Sequence, residues 1–303
     1  MAVLIDPPRW PAHGTRFSHL VSDSSLDELF EFADARQLPM RAFDHDHYDV
    51  PERRYDDLVA AGAEPVVPAE LLRRLVASGL RVRTPQRTPK PGEVLPGLRT
   101  AWSELLPHSP ALGEDLLRRW QEPHRHYHDV RHLAQILAAL ARLTNGAATR
   151  PVLLAAWFHD AVHDGEHGTD EERSAALAEA ELDGVGLPAS EVAEVARLVR
   201  LTTTHSPEPG DAAGIELVDA DLSILGQPPG RYHVYARDVR LEYPRMPDPI
   251  FAAGRLQVLD ALSSRRPLYR SATGQEAWTA QASRNLASER RRWLRLVRSQ
   301  QVQ

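Results

Sequence analysis

The spacing of apolar residues divides the chain into two parts. In the first part, the short apolar runs AVLID and MRAFD alternate with amphipathic segments, of which SLDELFEFADARQL and AELLRRLVASGL are the clearest. Runs of this length favour β-strands, whereas apolar residues spaced by three and four favour α-helices. Strands that alternate with helices predict a small α/β domain, which we place over residues 1–83.

Capping signals and apolar stripes refine this first domain. Ser24 or Ser25 is expected to cap its first helix, because a serine hydroxyl accepts a hydrogen bond from a free amide of the first turn. The stretches PPRWPAHGTRFSHLVSD and HDHYDV are rich in turn-forming residues and are predicted to be loops. The residues predicted to face the core are Leu26, Leu29, Phe30 and Ala33 in the first helix and Leu71, Leu72, Leu75 and Val76 in the last.

Proline and glycine mark the boundary between the two parts. Residues 84–97 read TPQRTPKPGEVLPG, a composition that sustains neither a helix nor a central strand, and they are predicted to form a linker. In residues 98–303 the apolar residues recur with helical spacing, as in RTAWSELL and SEVAEVARLVRL. This second domain is therefore predicted to be an all-α helical bundle.

Histidines interrupt two apolar helical patterns in the second domain. His128 and His132, four residues apart in PHRHYHDVRHLAQILAAL, are predicted to share one helix face. The next pattern, VLLAAWFHDAVHD, is almost wholly apolar until His159 and Asp160. Burying such a pair is costly without a partner, and a divalent metal binds both imidazole nitrogen and carboxylate oxygen. A structural hydrogen-bond network is the alternative interpretation.

Two aspartates downstream are candidates for a further metal ligand. In IELVDADLSILG, the residues Val218, Leu222 and Leu225 form an apolar stripe with helical spacing. At about 100° per residue, Asp221 falls on this stripe, while Asp219 points away from it. We therefore predict that Asp221 faces inward and that Asp219 faces solvent or a neighbouring helix.

These motifs resemble the H…HD…D signature of the HD-domain metal-dependent phosphohydrolases. The signature is matched by His128, His159–Asp160 and Asp221. One bacterial branch of predicted HD phosphohydrolases is more similar still, because it shares EP-x-R-x-YH-x3-H, WFHD, EERSA, T-x-x-H and DADL-x-ILG in this order. The resemblance covers about residue 98 to about residue 298. It implies an all-helical HD domain with a mononuclear or dinuclear metal site.

The resemblance also suggests a role for each candidate residue. The predicted metal ligands are His128, His132, His159, Asp160, Asp221 and His205, with Mn, Fe, Zn or Co as the ion. The predicted catalytic residues are Asp164, His163, Glu171 and Glu172, and the predicted substrate-binding residues are Arg173 and Arg255. Asp164 is the first candidate to orient the attacking water. The related alarmone hydrolases carry HD-x-x-ED, whereas HDAVHD has His163 in place of the glutamate, which weakens an alarmone assignment.

The first domain resembles a small bacterial domain of unknown function, DUF4031, that is also found fused ahead of HD domains. The similarity is carried by VLIDPPRWPAHG, SHLVSD-x-SLDEL and FD-x-DHYDVPERRYDDLVAAGAEPV, over residues 1 to about 83. Strand ends and loops of this domain carry a polar set that is either a ligand site or a group of turn formers and helix caps. The set consists of Asp6, His13, His19, Asp44, Asp46, His47 and Asp49.

Composition narrows the classes of function. The net charge of −6 argues against a broad nucleic-acid surface. The absence of cysteine excludes thiol catalysis and disulfides, and it fits a reducing compartment. No apolar run approaches the roughly 18 residues of a membrane helix. The start MAVLIDPPRW lacks the pattern of a signal peptide. We therefore expect a cytoplasmic protein without a membrane partner.

The combined expectation is an enzyme that hydrolyses a small phosphate ester or nucleotide with the help of a metal. Two other classes of function fit the same residues. One is an HD-fold lyase or hydratase that acts on a substrate without phosphate. The other is a non-catalytic sensor, in which metal or nucleotide binding is reported to the first domain. Arginines around the site would favour a phosphate substrate, and an apolar pocket would favour the lyase.

Overall fold

A computed structural model of the protein describes residues 2–300. The chain forms two compact units. The first unit ends at Arg87 and also contains Gln227–Val234, whereas the second consists of Thr88–Gly226 and the chain from Tyr235 onward. The division at Arg87 lies inside the stretch that the sequence predicts to be a linker. A small α/β region followed by a largely helical region confirms the predicted combination of fold classes.

The first unit is built on one mixed β-sheet. Its strands are β1 (Val3–Ile5), β2 (Trp10–Ala12), β3 (Thr15–Ser22), β4 (Phe43–Asp44), β5 (His47–Pro51) and β6 (Glu64–Pro65). They follow the order β4-β5-β3-β1-β6, and β2 pairs with β3. The pair β1–β6 is parallel, and the pairs β1–β3, β2–β3, β3–β5 and β4–β5 are antiparallel. β3 therefore lies at the centre of the sheet.

The prediction that the stretch after β1 is a loop is wrong, because this stretch forms the β2–β3 hairpin. His13 and Gly14 connect the two strands with φ angles of 48° and 75°. Two successive left-handed residues match the twist of a hairpin, and glycine adopts such angles without strain. The polar segment HDHYDV is likewise a strand for most of its length, because its alternate residues Tyr48 and Val50 are fully buried.

Three helices accompany the sheet: α1 (Leu26–Ala35), α2 (Tyr55–Ala60) and α3 (Pro68–Ala77). The predicted cap is confirmed, because the Ser25 hydroxyl accepts a hydrogen bond from the amide of Glu28 at 3.1 Å. The four core positions predicted for α1 are all buried. In α3 the prediction is only half right, since Leu71 and Leu75 are buried but Leu72 and Val76 are 48% and 52% exposed. A residue next to a buried one on a helix is rotated by about 100°, and α3 buries only a narrow stripe.

The chain after Thr88 is helical. Its helices are α4 (Pro91–Leu105), α5 (Pro110–Arg119), α6 (Val130–Leu143), α7 (Arg150–Phe158), α8 (Thr169–Gly184), α9 (Ala189–Leu201), α10 (Ala212–Asp221), α11 (Pro229–Leu241), α12 (Asp248–Ser264) and α13 (Ala272–Gln300). Apolar faces of these helices form the core of the second unit, in which Trp120, Trp157 and Phe158 are fully buried. Across residues 2–300, no helix combines the length and apolarity needed to cross a bilayer.

Helix α4 begins inside the predicted linker, so the linker prediction is wrong for its second half. Pro91 occupies the first turn, where the missing amide hydrogen would have had no helical partner. The carboxylate of Glu93 accepts a hydrogen bond from the amide of Lys90 at 2.9 Å and closes this end of the helix. The composition of the segment therefore marks a helix start rather than an extended connection.

We expect a fragment that starts at Thr88 to fold on its own and to unfold cooperatively, because it keeps α4 with its first turn. A fragment that starts at Leu98 should be less stable by about 1 kcal/mol or more, since it loses the contacts that begin α4. Urea unfolding monitored by circular dichroism compares the two fragments. Equal stabilities would show that residues 88–97 do not contribute to the second unit.

Candidate metal centre

Three helix ends deliver the residues of the first candidate site in the second unit. His132 lies in the first turn of α6, His159 and Asp160 directly follow the last residue of α7, and Asp221 is the last residue of α10. The helices are fixed in place by apolar residues such as Ile136, which is fully buried. Helix ends are suited to this task, because a polar side chain there can leave the apolar stripe without interrupting it.

The ligand atoms of these four residues lie close together. The Nε2 atom of His159 lies 3.4 Å from Nε2 of His132 and 3.0 Å from Oδ2 of Asp160. The Nε2 atom of His132 lies 3.2 Å from Oδ1 of Asp221 and 3.6 Å from Oδ2 of Asp160. The distance between Nε2 of His159 and Oδ1 of Asp221 is 3.9 Å. We call these four residues the HHDD cluster.

The spacing of the HHDD cluster fits a divalent transition metal. Zinc is bound by imidazole and carboxylate at about 2.0–2.2 Å, so neighbouring ligand atoms around one ion lie roughly 3.0–3.5 Å apart. Two nitrogen and two oxygen donors also suit Mn, Fe and Co. The residues of the cluster therefore have both the donor chemistry and the approximate spacing of a metal site.

Contacts behind the HHDD cluster orient its ligands. The Nδ1 atom of His159 lies 3.0 Å from the carbonyl oxygen of Ala156, so Nδ1 carries the hydrogen and Nε2 is left as a ligand atom. His205 approaches Asp221 from the other side, with 2.6 Å between its Nε2 and Oδ2 of the carboxylate. His205 thus contacts the cluster through Asp221.

Burial and neighbouring charges set the protonation of the cluster. Burial lowers the pKa of His132, which favours the neutral imidazole that binds metal. Burial also opposes a charge on His159, but Asp160 and Asp221 outweigh it and raise the pKa of this imidazole to about 9. Despite burial, the adjacent histidines hold the pKa values of Asp160 and Asp221 below the usual range. Metal binding at neutral pH would therefore displace a proton from His159.

A second group of side chains of types that can bind a metal lies beside the HHDD cluster and consists of His128, His163 and Glu242. One ligand atom from each lies within 4.8 Å of those of the other two. The Nδ1 atom of His128 is 2.7 Å from Oε2 of Glu242, and Nε2 of His163 is 3.6 Å from the same oxygen. The ring centroids of His128 and His132 are 5.6 Å apart. The two groups are therefore neighbours.

Glu242 is fixed by the backbone that leads into α6. Its Oε1 atom accepts hydrogen bonds from the amides of His126, Tyr127 and His128, at 2.8, 2.7 and 2.9 Å. Burial would raise the pKa of Glu242, but His128 and His163 hold it well below its usual range. Burial likewise opposes a charge on His128, and Glu242 outweighs it and raises the pKa of that imidazole. His128 and Glu242 therefore form a largely buried ion pair.

The prediction that His128 and His132 share a helix face is wrong. Helix α6 begins at Val130, and Asp129 caps it by accepting a hydrogen bond from the amide of Arg131 at 2.8 Å. His128 therefore precedes the helix, and its side chain joins Glu242 instead of the HHDD cluster. An aspartate directly before an apolar helical run is a capping signal that could have placed this boundary.

Asp221 joins the HHDD cluster as predicted, while Asp219 does not face solvent. Asp219 is fully buried, and its carboxylate accepts hydrogen bonds from the amides of Arg270 and Ser271 at 2.9 and 2.8 Å. It also accepts one from the Ser271 hydroxyl at 2.6 Å. The prediction left two alternatives for Asp219. The alternative that it faces solvent is wrong, and the alternative that it faces a neighbouring helix is right, because Arg270 and Ser271 directly precede α13.

The acidic residues predicted to be catalytic lie in ion pairs near the surface. Asp164 is half-exposed and pairs with Arg173 at 2.6 Å, while its amide donates to Asp170. Glu171 accepts a hydrogen bond from the amide of Gly168 at 2.5 Å and so caps α8. Exposed Glu172 pairs with Arg200 on α9. Asp170 lies in the first turn of α8. None of these contacts involves the HHDD cluster.

The two arginines predicted to bind substrate differ in burial. Arg173 is half-exposed and paired with Asp164. Arg255 is buried, forms an ion pair with Glu289 at 2.7 Å, and donates a hydrogen bond to the hydroxyl of Tyr235. Its role in substrate binding stays a prediction, but these contacts account for its burial.

Other arginines line a cavity that the sequence analysis did not single out. This cavity of about 460 Å³ is bordered by His205 and by Arg265, Arg266 and Arg270. Arg265 also donates hydrogen bonds to the carbonyl oxygens of Thr204 and His205, at 2.9 and 2.8 Å. In the sequence, the segment SSRRPLYR stands out only by its three arginines, and nothing in it shows that these arginines lie close to His205.

Arg125 is another arginine to which the sequence assigned no role. Its side chain is fully buried and donates to the carbonyl oxygens of His128, Asp160 and Ala161, at 3.1, 2.6 and 3.2 Å. It therefore ties the turn that carries the HD pair to the segment that carries His128. Its place in the motif EP-x-R-x-YH could have indicated that this arginine has a role.

We expect Asp221→Asn to change the amount of bound metal and Asp219→Asn to change the stability of the fold. Asp221→Asn should sharply reduce bound metal, because it removes a ligand charge from the HHDD cluster. Asp219→Asn should keep the metal but lower the free energy of unfolding by about 1.5–3 kcal/mol, since it weakens three buried hydrogen bonds to a charged acceptor. Elemental analysis and urea unfolding measure the two quantities. Metal loss confined to the Asp219 variant would exclude the assignment.

The His128–Glu242 pair should give a pH-dependent contribution to stability. His128 has a raised pKa, so its imidazolium stabilises the fold fully below its ordinary value of 6.5, and this contribution is lost as the pH rises through the raised pKa. In metal-free protein kept in chelator, Glu242→Gln should lower the free energy of unfolding by about 3–5 kcal/mol at pH 6 and by less at alkaline pH. Urea unfolding at several pH values tests this. Glu172→Gln is the matched control, and an equal effect of both variants would contradict the prediction.

Comparison with known proteins identifies a family for the first unit only. Residues 3–78 match the sequence model of a family described as a protein of unknown function, DUF4031. This match confirms the resemblance predicted for the N-terminal domain. No curated protein and no solved structure matches the chain. The HD resemblance of residues 98–298 stays a prediction.

Proposed function

We propose that the second unit is a metal-dependent hydrolase that cleaves a small phosphate ester or nucleotide. The observation that carries this proposal is the HHDD cluster, in which four ligand atoms from three helix ends lie 3.0–3.9 Å from their neighbours. His132, His159, Asp160 and Asp221 would hold the ion. A bound divalent ion would lower the pKa of water and offset charge on the phosphoryl oxygens.

The His128–Glu242 pair is the candidate for proton transfer. Glu242 fixes the orientation of His128 through Nδ1 and favours its protonated form, so Nε2 is left as the donor atom. Cleavage of a phosphate ester needs a proton on the leaving oxygen, and a protonated imidazole next to the metal ligands is suited to supply it. His163 lies against His128 with a ring-centroid distance of 4.2 Å and is a second candidate.

The arginines beside His205 favour a phosphate substrate over a neutral one. Arg265, Arg266 and Arg270 border the same cavity as His205, which contacts the HHDD cluster through Asp221. Guanidinium groups bind phosphate oxygens in pairs and keep their charge at all relevant pH values. In a chain with a net charge of −6, such a local group of arginines would concentrate positive charge where an anionic substrate needs it.

Purified protein should hydrolyse small phosphomonoesters or nucleotides when Mn²⁺ or Co²⁺ is supplied, and chelation should abolish the activity. His132→Ala and Asp160→Ala should lose both metal and activity, because each removes a ligand. A panel of phosphomonoesters and nucleotides, assayed for released phosphate together with elemental analysis of the protein, tests this. Bound metal without turnover of any member would exclude the phosphohydrolase and favour a lyase or a sensor.

Separate variants compare His128, the candidate for proton transfer, with Asp164, the sequence candidate for orienting water. His128→Gln should reduce kcat by about 10²–10⁴-fold while metal content stays near that of the wild type, because the proposed role is proton transfer. Asp164→Asn is the matched comparison, since Asp164 was the first sequence candidate but pairs with Arg173. A large loss of kcat in the Asp164 variant alone would exclude His128 as the proton donor and would assign the catalytic role to Asp164.

A further inference from the structure

We propose that the first unit contains a separate site for a divalent metal ion of the zinc or cobalt type, held by His19, His47 and Asp49. One ligand atom from each of these residues lies within 4.8 Å of those of the other two. The match to a family of unknown function assigns no site to this unit. The proposal is independent of the HHDD cluster, because all of its residues belong to the first unit.

Strand geometry puts the three side chains on one face of the sheet. His19 on β3 is paired directly with Asp49 on the antiparallel strand β5. His47 lies two residues before Asp49 on the same strand, and alternate residues of a strand share a face. The Nε2 atom of His47 lies 3.6 Å from Oδ1 of Asp49, and the ring centroids of His19 and His47 are 4.9 Å apart.

Each imidazole of this group is oriented by a buried carboxylate. The Nδ1 atom of His19 lies 3.0 Å from Oδ2 of Asp6, and Nδ1 of His47 lies 2.7 Å from Oδ1 of Asp46. Asp6 is 1% exposed and Asp46 is fully buried. Histidines that bind metal usually donate their second ring hydrogen to a carboxylate, which leaves the other nitrogen as a ligand atom. Two such histidine–aspartate pairs side by side therefore support a bound metal ion, in addition to the closeness of the three ligand atoms.

The orienting carboxylates are themselves fixed by the fold. Oδ1 of Asp6 accepts a hydrogen bond from the amide of His19 at 2.6 Å. Asp46 accepts one from the amide of Val82 at 2.7 Å and lies 3.2 Å from the guanidinium of Arg81. Both aspartates therefore keep their position without an ion, so the two imidazoles are already oriented for one.

The group is open to solvent on one side. The Asp49 side chain is 48% exposed, and that of His19 is 27% exposed. Two imidazoles and one carboxylate supply three ligands, which leaves at least one position for water or a substrate in a zinc site. The donor set and its exposure therefore match a catalytic type of site more closely than a closed structural one.

Trp10 provides a local reporter of binding. Its indole ring lies 5.2 Å from that of His19 between centroids, and its Nε1 donates a hydrogen bond to Asp6 at 3.3 Å. The other tryptophans of the sequence lie outside the first unit. One of them, Trp120, lies 5.4 Å from His159 between ring centroids, so an ion in the HHDD cluster would also change fluorescence.

The test therefore uses the full chain with Asp221→Asn and Glu242→Gln, which remove one candidate ligand from each of the two groups in the second unit. Titration with Co²⁺ alone should quench fluorescence with a stoichiometry of one ion per chain, and Trp10→Phe should remove the quenching. Equilibrium dialysis with Zn²⁺ should give the same stoichiometry. If the protein with these two substitutions binds neither ion, the proposal is overturned, whatever the second unit does in the wild type.

Variants of the ligands and of the orienting carboxylate locate the ion. His19→Gln, His47→Gln and Asp49→Asn should each abolish the stoichiometric ion, while His13→Gln, an exposed histidine of the same hairpin, should not. Asp6→Asn should weaken binding by about 10–100-fold, as expected for an outer contact. Asp49→Asn keeps the test decisive if a histidine variant unfolds, because the Asp49 side chain is half-exposed. Binding unchanged in the Asp49 and histidine variants would overturn the assignment.

A competing interpretation is that the group binds an anion. The imidazole rings of His19 and His47 lie 4.9 Å apart between centroids, and two neighbouring imidazoles also suit an anion. Inorganic phosphate added to metal-free protein is the matched probe. Phosphate binding that requires His47, together with no binding of Zn²⁺ or Co²⁺, would replace the metal assignment with an anion site.

Discussion

The second unit depends on the compensation of buried charge at the ends of its helices. Asp160 and Asp221 are mostly buried, and an isolated carboxylate in such a place would become protonated or would destabilise the fold. His132 and His159 offset that cost from 3.0–3.6 Å away. The apolar stripes of α6, α7 and α10 fix the distances, and the ends of the helices supply the polar groups. The architecture of the bundle and the candidate chemistry are thus consequences of the same constraint.

The neighbouring His128–Glu242 pair shows how backbone groups take part in this arrangement. Three successive amides before α6 donate to one oxygen of Glu242, which leaves the other oxygen for His128. A carboxylate with several hydrogen-bond donors stays charged even when it is buried. The segment before α6 therefore has a structural role, because it keeps an ion pair beside the HHDD cluster. Arg125 completes the connection by binding carbonyl oxygens on both sides.

Local patterns indicated most of the helices and all four HHDD residues, and they failed where a helix boundary or a distant contact decides the position of a side chain. His159, Asp160 and Asp221 stand at the ends of clear apolar runs, so periodicity places them. His128 was misplaced because the cap at Asp129 starts the helix two residues later than the apolar pattern suggests. The helical spacing around Asp219 also could not predict its contacts with residues 270 and 271, because these residues follow it by about fifty positions in the chain. Glu242 joins His128 across a longer separation still, which no local pattern reveals.

The same limit explains why the histidines of the first unit read as loop residues. His19 and His47 are far apart in sequence, and each stands among residues that favour turns. Pairing of β3 with β5 brings them onto one face, and this register depends on Leu20 and Tyr48, which are fully buried at a neighbouring paired position. A shift of one residue would bury the histidines and expose those core residues. The packing of the core thus fixes the spacing of the polar face, even though no polar residue specifies it.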